Sequence, residues 1–260
     1  MPFQSKEGIR YYQFENLGDG VTQAVFTRRG GNSPDPWAAL NIGGTVGDDP
    51  ERVCKNRQRA LTALGCDPES VYDVWQVHGV NVVIAEAPRP PEKPHLQADV
   101  ILTDKPGITL MMRFADCVPI LLHDPLRKVI GIAHAGWMGT VRGAVRIAVE
   151  AMQTRFGSNP RDVRAAIGPS IGPDHYEVGL DVVMQVQQAF RQGASSLLNK
   201  RAGGIHFDLW TANRLILEQA GVKQIELAGV CTACHTEDWY SHRAEHGRTG
   251  RFGAVIALNL

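Results

Sequence analysis

Apolar runs recur along the whole chain and are separated by short polar or glycine-containing breaks. Ten of these runs are rich in β-branched residues and predict strands, and several are apolar on both alternations, as expected for strands buried on both faces. They are VTQAVFT (21–27), VYDVWQV (71–77), VNVVIAEA (80–87), ADVILTD (98–104), ITLMMRFA (108–115), VPILLHD (118–124), KVIGIAHA (128–135), VRAAIG (163–168), QIELAGV (224–230) and FGAVIAL (252–258).

Four further segments have the pattern of helices. Asp49 begins the first, which ends at Gly65, because Asp caps the free N–H groups of a first turn and Gly suits the left-handed end of a helix. The other three are expected at about 137–156, 180–192 and 208–221. Strands outnumber helices and their order is not a regular βαβ alternation. The sequence therefore predicts an α+β (mixed α/β) fold with helices packed outside β-sheets.

Charge and composition narrow the classes of function. The 27 Lys and Arg residues balance 27 Asp and Glu residues, so nothing attracts the chain generally to nucleic acid or anionic lipid. No run reaches the roughly 20 apolar residues that cross a bilayer. The start lacks an apolar export segment, and five cysteines fit a reducing compartment. We expect a single cytoplasmic domain over residues 1–260, a monomer or small homo-oligomer, without nucleic-acid or membrane partners.

Three reactive side chains stand at the ends of predicted strands: His78, Cys117 and His134. Two imidazoles and one thiolate suit Zn²⁺, whose catalytic sites commonly take three protein ligands and leave the fourth position to water. Bound zinc lowers the pKa of that water to about 7. The intervening 38 and 16 residues do not form a local metal motif, so a buried apolar role for Cys117 stays open from these residues alone.

A second group of candidate ligands lies in CTACHTEDWYSHRAEH (231–246). Cys231, Cys234 and His235 match a haem c attachment pattern, which normally requires export. The same cysteines followed by His242 and His246 resemble zinc-finger spacing, but the separation is short. A metal or redox role and a plain loop with small, partly buried cysteines both stay open.

Three polar residues are weaker candidates. Arg28, in TRRGGNS, could form a bidentate contact with phosphate or carboxylate, although an exposed turn would look the same. Asn41 lies between apolar residues and is equally ambiguous. Asp116 precedes Cys117 and could relay protons or orient a ligand, or simply cap a turn.

Taken together, the motifs resemble one family. They are TRRGGNS, ALNIGGTVGDDPERVCKNRQRAL, WQVHG, ADVILTD, ADCVPILL, HAGW-MG, IGPSIGP, FDLW and CT…YSHR…TGR. Their order and spacing, from about residue 25 onward, are similar to the laccase-domain (polyphenol-oxidoreductase-like) family, whose members are described as purine nucleoside phosphorylases and adenosine deaminases. WQVHG, ADC and HAGW in succession are far more specific than any single motif.

The resemblance implies a fold, a cofactor and an activity. The fold is a sandwich of mixed β-sheets flanked by outer helices. The cofactor is zinc, held by His78, Cys117 and His134, with copper as a possible occupant because it outranks zinc for such ligands. The activity is phosphorolysis of a purine nucleoside to free base and ribose 1-phosphate, together with deamination of adenosine. Cys117, His134 and Asp116 are then the catalytic candidates.

The resemblance also implies substrate contacts, and here the chain departs from the family pattern. Arg28, Asn41 and Arg243 are the expected contacts with nucleoside or phosphate. Met138 follows HAGW, where the family usually has Arg, and SHRA (241–244) stands where it usually has SYRR. Because Met cannot hold an anion as a guanidinium does, phosphorolysis could be weakened here while deamination persists.

Other functions stay open from the sequence. The family's older name suggests a copper-dependent polyphenol oxidase, although nine scattered histidines are a poor match for several neighbouring copper sites. A hydrolase acting on cell-wall precursors could use zinc, or Cys117 as a nucleophile activated by a neighbouring imidazole. A binding protein that has lost activity is the remaining possibility.

Overall fold

All ten predicted strand segments contain a strand in the computed structural model, which describes residues 2–201 and 203–259. Within these residues the chain forms fifteen strands and five α-helices. The strands are β1 (Phe3–Lys6), β2 (Ile9–Tyr12), β3 (Val21–Phe26), β4 (Val71–Asp73), β5 (Val82–Ile84), β6 (Val100–Thr103), β7 (Thr109–Phe114), β8 (Val118–Asp124), β9 (Val129–Ala135), β10 (Arg164–Ile167), β11 (Glu177–Val178), β12 (Leu198–Arg201), β13 (Gly204–Phe207), β14 (Gln224–Leu227) and β15 (Phe252–Leu258). The helices are α1 (Pro50–Leu64), α2 (Trp137–Val141), α3 (Ala144–Phe156), α4 (Leu180–Phe190) and α5 (Leu209–Gln219).

The strands form two six-stranded mixed sheets and a small third sheet. The first sheet has the order β1-β2-β3-β15-β7-β4, and the second has the order β14-β10-β8-β9-β6-β5. Three pairs are parallel, namely β4 with β7, β5 with β6 and β10 with β14. The third sheet is β11-β13-β12. The two large sheets pack face to face, since Leu110 and Phe252 of the first share a buried cluster with Leu121 and Ile132 of the second.

Helices cover the outer faces of this sandwich. Leu61 of α1 packs with Phe26 and Val255 of the first sheet. Val145 of α3 and Leu217 of α5 belong to the cluster on the outer face of the second sheet. The predicted α+β arrangement, with sheets inside and helices outside, is confirmed. None of the described helices combines the length and hydropathy needed to span a membrane.

The first predicted helix has the expected ends. The Asp49 carboxylate accepts the Arg52 N–H at 3.0 Å, which satisfies one of the free donors of the first turn. Gly65 ends the helix with φ of 79° and donates its N–H to the carbonyls of Leu61 and Thr62. Both signals were local in sequence, which is why they predicted the bounds.

The prediction of one helix over residues 137–156 is wrong. The chain forms α2 and α3 with a break at Gly143, whose φ of 76° is left-handed. A left-handed residue interrupts the hydrogen-bond ladder of a helix, and glycine adopts this conformation without a Cβ penalty.

We predict that Asp49→Ala lowers the free energy of unfolding by about 1 kcal/mol, because the first turn of α1 loses its side-chain cap. Asp49→Ser should keep most of the stability, since a serine hydroxyl also accepts from the first turn. Urea unfolding followed by circular dichroism measures both. Equal midpoints for Asp49→Ala and the parent protein would contradict the role of the cap.

Candidate metal centre and its cavity

His78, Cys117 and His134 converge at one end of the second sheet. One ligand atom from each lies within 4.8 Å of the others. His134 lies on β9 and Cys117 immediately precedes β8, and these strands pair in antiparallel register with Pro119 opposite His134. The hairpin therefore brings together two side chains that are far apart in sequence. His78 reaches them from the loop after β4, and its ring centroid lies 4.9 Å from that of His134.

A buried carboxylate, Asp99, holds the imidazole of His134 and the backbone of His78 in place. Its Oδ1 accepts from His134 Nδ1 at 2.7 Å and from the His78 N–H at 3.1 Å. Its Oδ2 accepts the N–H of Gly79 at 2.6 Å and of Val77 at 3.2 Å. With Nδ1 of His134 donating to Asp99, Nε2 is left for an ion. Burial works to raise the pKa of Asp99, but the hydrogen bond and charge of His134 hold it below its ordinary value.

The thiol and imidazole of the site polarise each other. Burial works to raise the pKa of Cys117, but the charge of His134 and hydrogen bonds from both imidazoles outweigh it and lower this pKa to about 6. Burial works to lower the pKa of His134, but Cys117 and Asp99 raise it to about 9. The surroundings of Cys117 therefore favour its thiolate, which is the form of cysteine that binds metals.

The backbone around this group is unusual. His78 has φ of 58° and Asp116 has φ of 81°, in the left-handed region that costs a non-glycine residue free energy and is concentrated at functional sites. Gly136 lies against Cys117, since a Cβ there would sit 2.9 Å from Sγ and 3.2 Å from Cδ2 of His78. Only glycine fits at residue 136 without displacing a candidate ligand.

Asp116 ties the centre to two neighbouring loops. Its Oδ1 accepts from Thr232 Oγ1 and its Oδ2 accepts the Arg243 N–H, each at 2.7 Å. Its backbone carbonyl accepts the Ile171 N–H at 3.0 Å. Both carboxylate oxygens are thus engaged by donors. The geometry favours a role in positioning Arg243, and the role of Asp116 in catalysis stays a prediction.

The three candidate ligands open into a cavity of about 830 Å³. Its walls combine aromatic rings with guanidinium groups. Trp75, which is 49% exposed, is one of the rings. The other lining residues are Gly43, Gly44, Thr45, Pro50, Val53, Cys54, Arg57, Gln76, His95, Arg113, Ala115, Asp116, Gly136, Trp137, Met138, Tyr176, His242, Arg243 and Arg251. The volume suits a ligand the size of a nucleoside.

Two of the arginines flank the glycine pair at residues 43 and 44. A Cβ on Gly43 would lie 2.7 Å from Cγ of Arg251, and one on Gly44 would lie 3.8 Å from Nη2 of Arg57. Arg57 donates through Nε to the Ile42 carbonyl at 2.9 Å. Arg251 donates through Nη1 to two nearby carbonyls. Among the described residues these bonds use only part of each guanidinium, so donors remain for an anion.

A third arginine, Arg113, is anchored by a buried acid. Asp73 Oδ1 accepts from Arg89 Nε at 2.8 Å, and its Oδ2 accepts from Arg113 Nη1 at 3.2 Å and lies 3.1 Å from His95 Nε2. Burial lowers the pKa of Arg113 to about 10, against the charge of Asp73. Arg113 therefore stays charged at neutral pH and adds to the positive potential of the cavity wall.

The structure places Arg28 away from the residues that line the cavity. Its guanidinium donates to the carbonyls of Ala38 at 2.7 Å and Thr236 at 2.8 Å, pairs with Glu245 at 2.9 Å and lies 4.5 Å from the ring centroid of Tyr240. These contacts satisfy the charge within the protein. The expected direct contact between Arg28 and substrate is therefore not supported by its surroundings, which are those of a loop anchor.

Asn41 is fully buried and forms hydrogen bonds to residues that line the cavity. Its Oδ1 accepts the N–H groups of Gly43 and Arg251, each at 2.9 Å, and its Nδ2 donates to Asp48 at 2.9 Å. It thereby fixes the two segments that carry the glycine pair and Arg251. These contacts favour a positioning role for Asn41, and its direct contact with substrate stays a prediction.

Arg243 does line the cavity, as do Met138 and His242 at the two places where the chain departs from the family pattern. Of the second group of candidate ligands, His242 is therefore part of this cavity. Cys231 and Cys234 instead gather with other side chains on a neighbouring pair of loops.

Sequence reasoning missed Asp99, Arg57, Arg113 and Arg251. Asp99 carried a signal, because an acid at the start of a fully apolar strand needs a buried partner. The arginines carried none, since each looks like an ordinary charged residue on a helix, a strand or a turn. Only the packing of α1 and the first sheet beside the second sheet places them around one cavity.

Curated relatives match nearly the full length of this chain. A curated relative from Deinococcus radiodurans, named purine nucleoside phosphorylase, is 42% identical over 96% of this chain and 94% of its own length. Another of that name, from Bacteroides thetaiotaomicron, is 34% identical over 96% of this chain and 97% of its own.

Solved structures show the same fold. YlmD from Geobacillus stearothermophilus superposes with a TM-score of 0.93 at 33% identity over 100% of this chain and 99% of that one. The Bacillus licheniformis hypothetical protein YfiH gives 0.92 at 33% identity over 99% of both chains. The model of one family, described as multi-copper polyphenol oxidoreductase laccase, matches residues 22–259, and the chain belongs to that family.

Proposed function

We propose that the protein is a zinc-dependent purine nucleoside phosphorylase that also deaminates adenosine. The observation that carries the proposal is one group of two imidazoles and a thiolate opening into a nucleoside-sized cavity with arginines on one wall. The names of the relatives from Deinococcus and Bacteroides support the same activity.

The donor set fits zinc. His78, Cys117 and His134 supply two nitrogens and one sulfur, the ligand types that catalytic zinc takes while leaving a fourth position open. Asp99 holds His134 through Nδ1, the arrangement that fixes the tautomer of a metal-ligating histidine. When bound, zinc supplies a Lewis acid that lowers the pKa of water to about 7.

For phosphorolysis the chain must hold phosphate beside the ribose. We assign this to Arg57 and Arg251 at the Gly43–Gly44 turn, because guanidinium forks and close backbone approach suit an oxyanion. A phosphate oxygen bonds to the anomeric carbon as the bond from that carbon to the purine nitrogen breaks. The base leaves with the electron pair and gains a proton. These arginines compensate for Met138, so the lost family arginine does not remove the anion site.

The aromatic wall suits the purine. Trp75 lines the cavity and is 49% exposed, so a purine ring can stack on it. The Tyr176 ring is covered by the guanidinium of Arg243, which lies 5.3 Å from the ring centroid. For deamination, water adds to the purine carbon that carries the exocyclic amine and ammonia leaves, giving inosine. This reaction needs the metal group and no phosphate.

A copper-dependent polyphenol oxidase is the weaker reading of the same site. The described residues hold two groups of candidate metal ligands, and the first contains two histidines and the second one. A multi-copper centre would need many histidines around adjacent ions. We therefore favour a single zinc in this cavity.

The first prediction is that purified protein releases free base from adenosine only when phosphate is present, and releases inosine with or without it. Cys117→Ala should lose both products and its zinc, because one of three ligands is gone. Cys66→Ala, at a half-buried cysteine away from the cavity, is the matched control. Product analysis by chromatography and zinc analysis by mass spectrometry decide. An active Cys117→Ala, or no product from the parent protein, would reject the proposal.

The second prediction concerns phosphate. Arg57→Gln should raise the KM for phosphate about 10- to 100-fold, the loss expected for a charge-assisted hydrogen bond. Deamination of adenosine should hold within about two-fold because it needs no phosphate. Arg59→Gln, two residues further along the same helix, should change neither the KM for phosphate nor the rate of deamination. Equal losses of both reactions in Arg57→Gln would place Arg57 elsewhere in the mechanism.

The third prediction concerns Asp99. Asp99→Asn should weaken zinc binding about 10- to 100-fold, as is typical when the partner of a ligating histidine is changed. Competition with a chromophoric chelator measures the affinity. Asp124→Asn, at another buried aspartate, is the control for general destabilisation. Unchanged zinc affinity in Asp99→Asn would show that the imidazoles are held by other contacts.

A further inference from the structure

A second group of metal-binding side chains lies beyond Asp116, outside the metal ligands described above. One ligand atom each from Asp174, His175, Cys231 and Cys234 falls within 4.8 Å of the others. His175 Nδ1 lies 3.5 Å from Sγ of Cys234 and 3.8 Å from Sγ of Cys231. Asp174 lies beside both residues: its Oδ2 is 3.8 Å from Cys234 Sγ, and its Oδ1 is 3.2 Å from His175 Nδ1.

The backbone sets this group in register. Ser170 and Cys231 form a parallel bridge, in which the Ser170 N–H donates to Val230 and the Thr232 N–H donates to Ser170. The Gly172 N–H donates to Sγ of Cys231 at 3.2 Å, as backbone N–H groups do to thiolates that ligate metals. Two loops that follow the parallel strands β10 and β14 thus carry the two halves of the group.

We propose that Asp174, His175, Cys231 and Cys234 form a second, structural zinc site. Two sulfurs, one nitrogen and one carboxylate oxygen complete four coordination, and structural zinc is four-coordinate and closed to substrate. Thiolates select zinc over magnesium or calcium. The two cysteines come from one C-x2-C turn, and the other pair comes from a second loop, so the ion would join segments that are about 60 residues apart.

Three features distinguish the group from a chance cluster. The Cys231 side chain is buried and aims its sulfur at the other three ligands. His175 presents the same nitrogen to both sulfurs. Asp174 lies beside that nitrogen and beside Cys234. A disulfide between Cys231 and Cys234 would not explain why His175 and Asp174 converge on the two sulfurs.

The ion would stabilise one wall of the cavity. Thr232, inside the C-x2-C turn, donates to Asp116. Arg243 donates through Nη1 to the carbonyl of Glu177 at 2.9 Å and lies 3.5 Å from that of His175. Fixing the two loops would therefore fix Arg243 and Tyr176, which line the cavity. This site does not depend on the proposed reaction.

The test counts metal in the intact protein. After purification with a mild reductant and dialysis in zinc-buffered solution, the parent protein should hold about two zinc ions per chain. Cys234→Ala should hold about one, Cys117→Ala about one, and the double variant close to none. His175→Gln should match Cys234→Ala. The controls are His235→Gln and Cys66→Ala, which should keep both ions.

Cobalt substitution tells the two sites apart without any assay of activity. The first site offers one thiolate and the second offers two, so Cys117→Ala should keep about two thirds of the thiolate-to-cobalt absorption and Cys234→Ala less. One zinc per chain that Cys117→Ala removes and Cys234→Ala leaves would overturn the proposal. A Cys231–Cys234 disulfide, found by mass spectrometry in the reduced and zinc-supplied protein, would overturn it as well.

Discussion

The buried carboxylate of Asp99 accepts hydrogen bonds from the His134 ring and from three consecutive backbone N–H groups of the turn that carries His78. A carboxylate is costly to bury alone, and four donors compensate for its lost hydration. The same bonds set the tautomer of one imidazole and the backbone position of the other. The strained φ of His78 persists because this single acceptor over-determines the turn.

A similar arrangement organises the positive side of the cavity. Asp73 is buried among Arg89, Arg113 and His95, so its negative charge is balanced within the protein. Burial works to raise the pKa of Asp73, but the charge of Arg113 and the hydrogen bond from Arg89 lower it. The carboxylate fixes Arg113 beside the cavity while Asn41 fixes Arg251 from the other side. The proposed anion site would thus depend on polar groups that hold the arginines in place.

The sequence predicted those features whose signals are local. The caps Asp49 and Gly65, the strand segments and the convergence of the candidate metal ligands at strand ends were of this kind, although assigning those ligands to a metal rested on the family resemblance. The short strands β1, β2, β11, β12 and β13 were missed, since they lie outside the longer apolar runs from which strands were predicted. The positions of Arg28 and Asn41 are set by hydrogen bonds to partners about 200 residues away, which no local pattern reveals.

The left-handed Gly143 separates two tasks that one continuous helix would have to share. Helix α3 packs Val145, Val149 and Met152 on the second sheet, and its sequence is constrained by that fit. Helix α2 places Trp137 and Met138 at the cavity. Because it is a separate helix, its side chains need not continue the helical register of α3. A substitution at residue 138 therefore changes the cavity wall without altering the face of α3 that packs on the second sheet. The shape of the cavity and the packing of α3 are thus constrained by separate parts of the sequence.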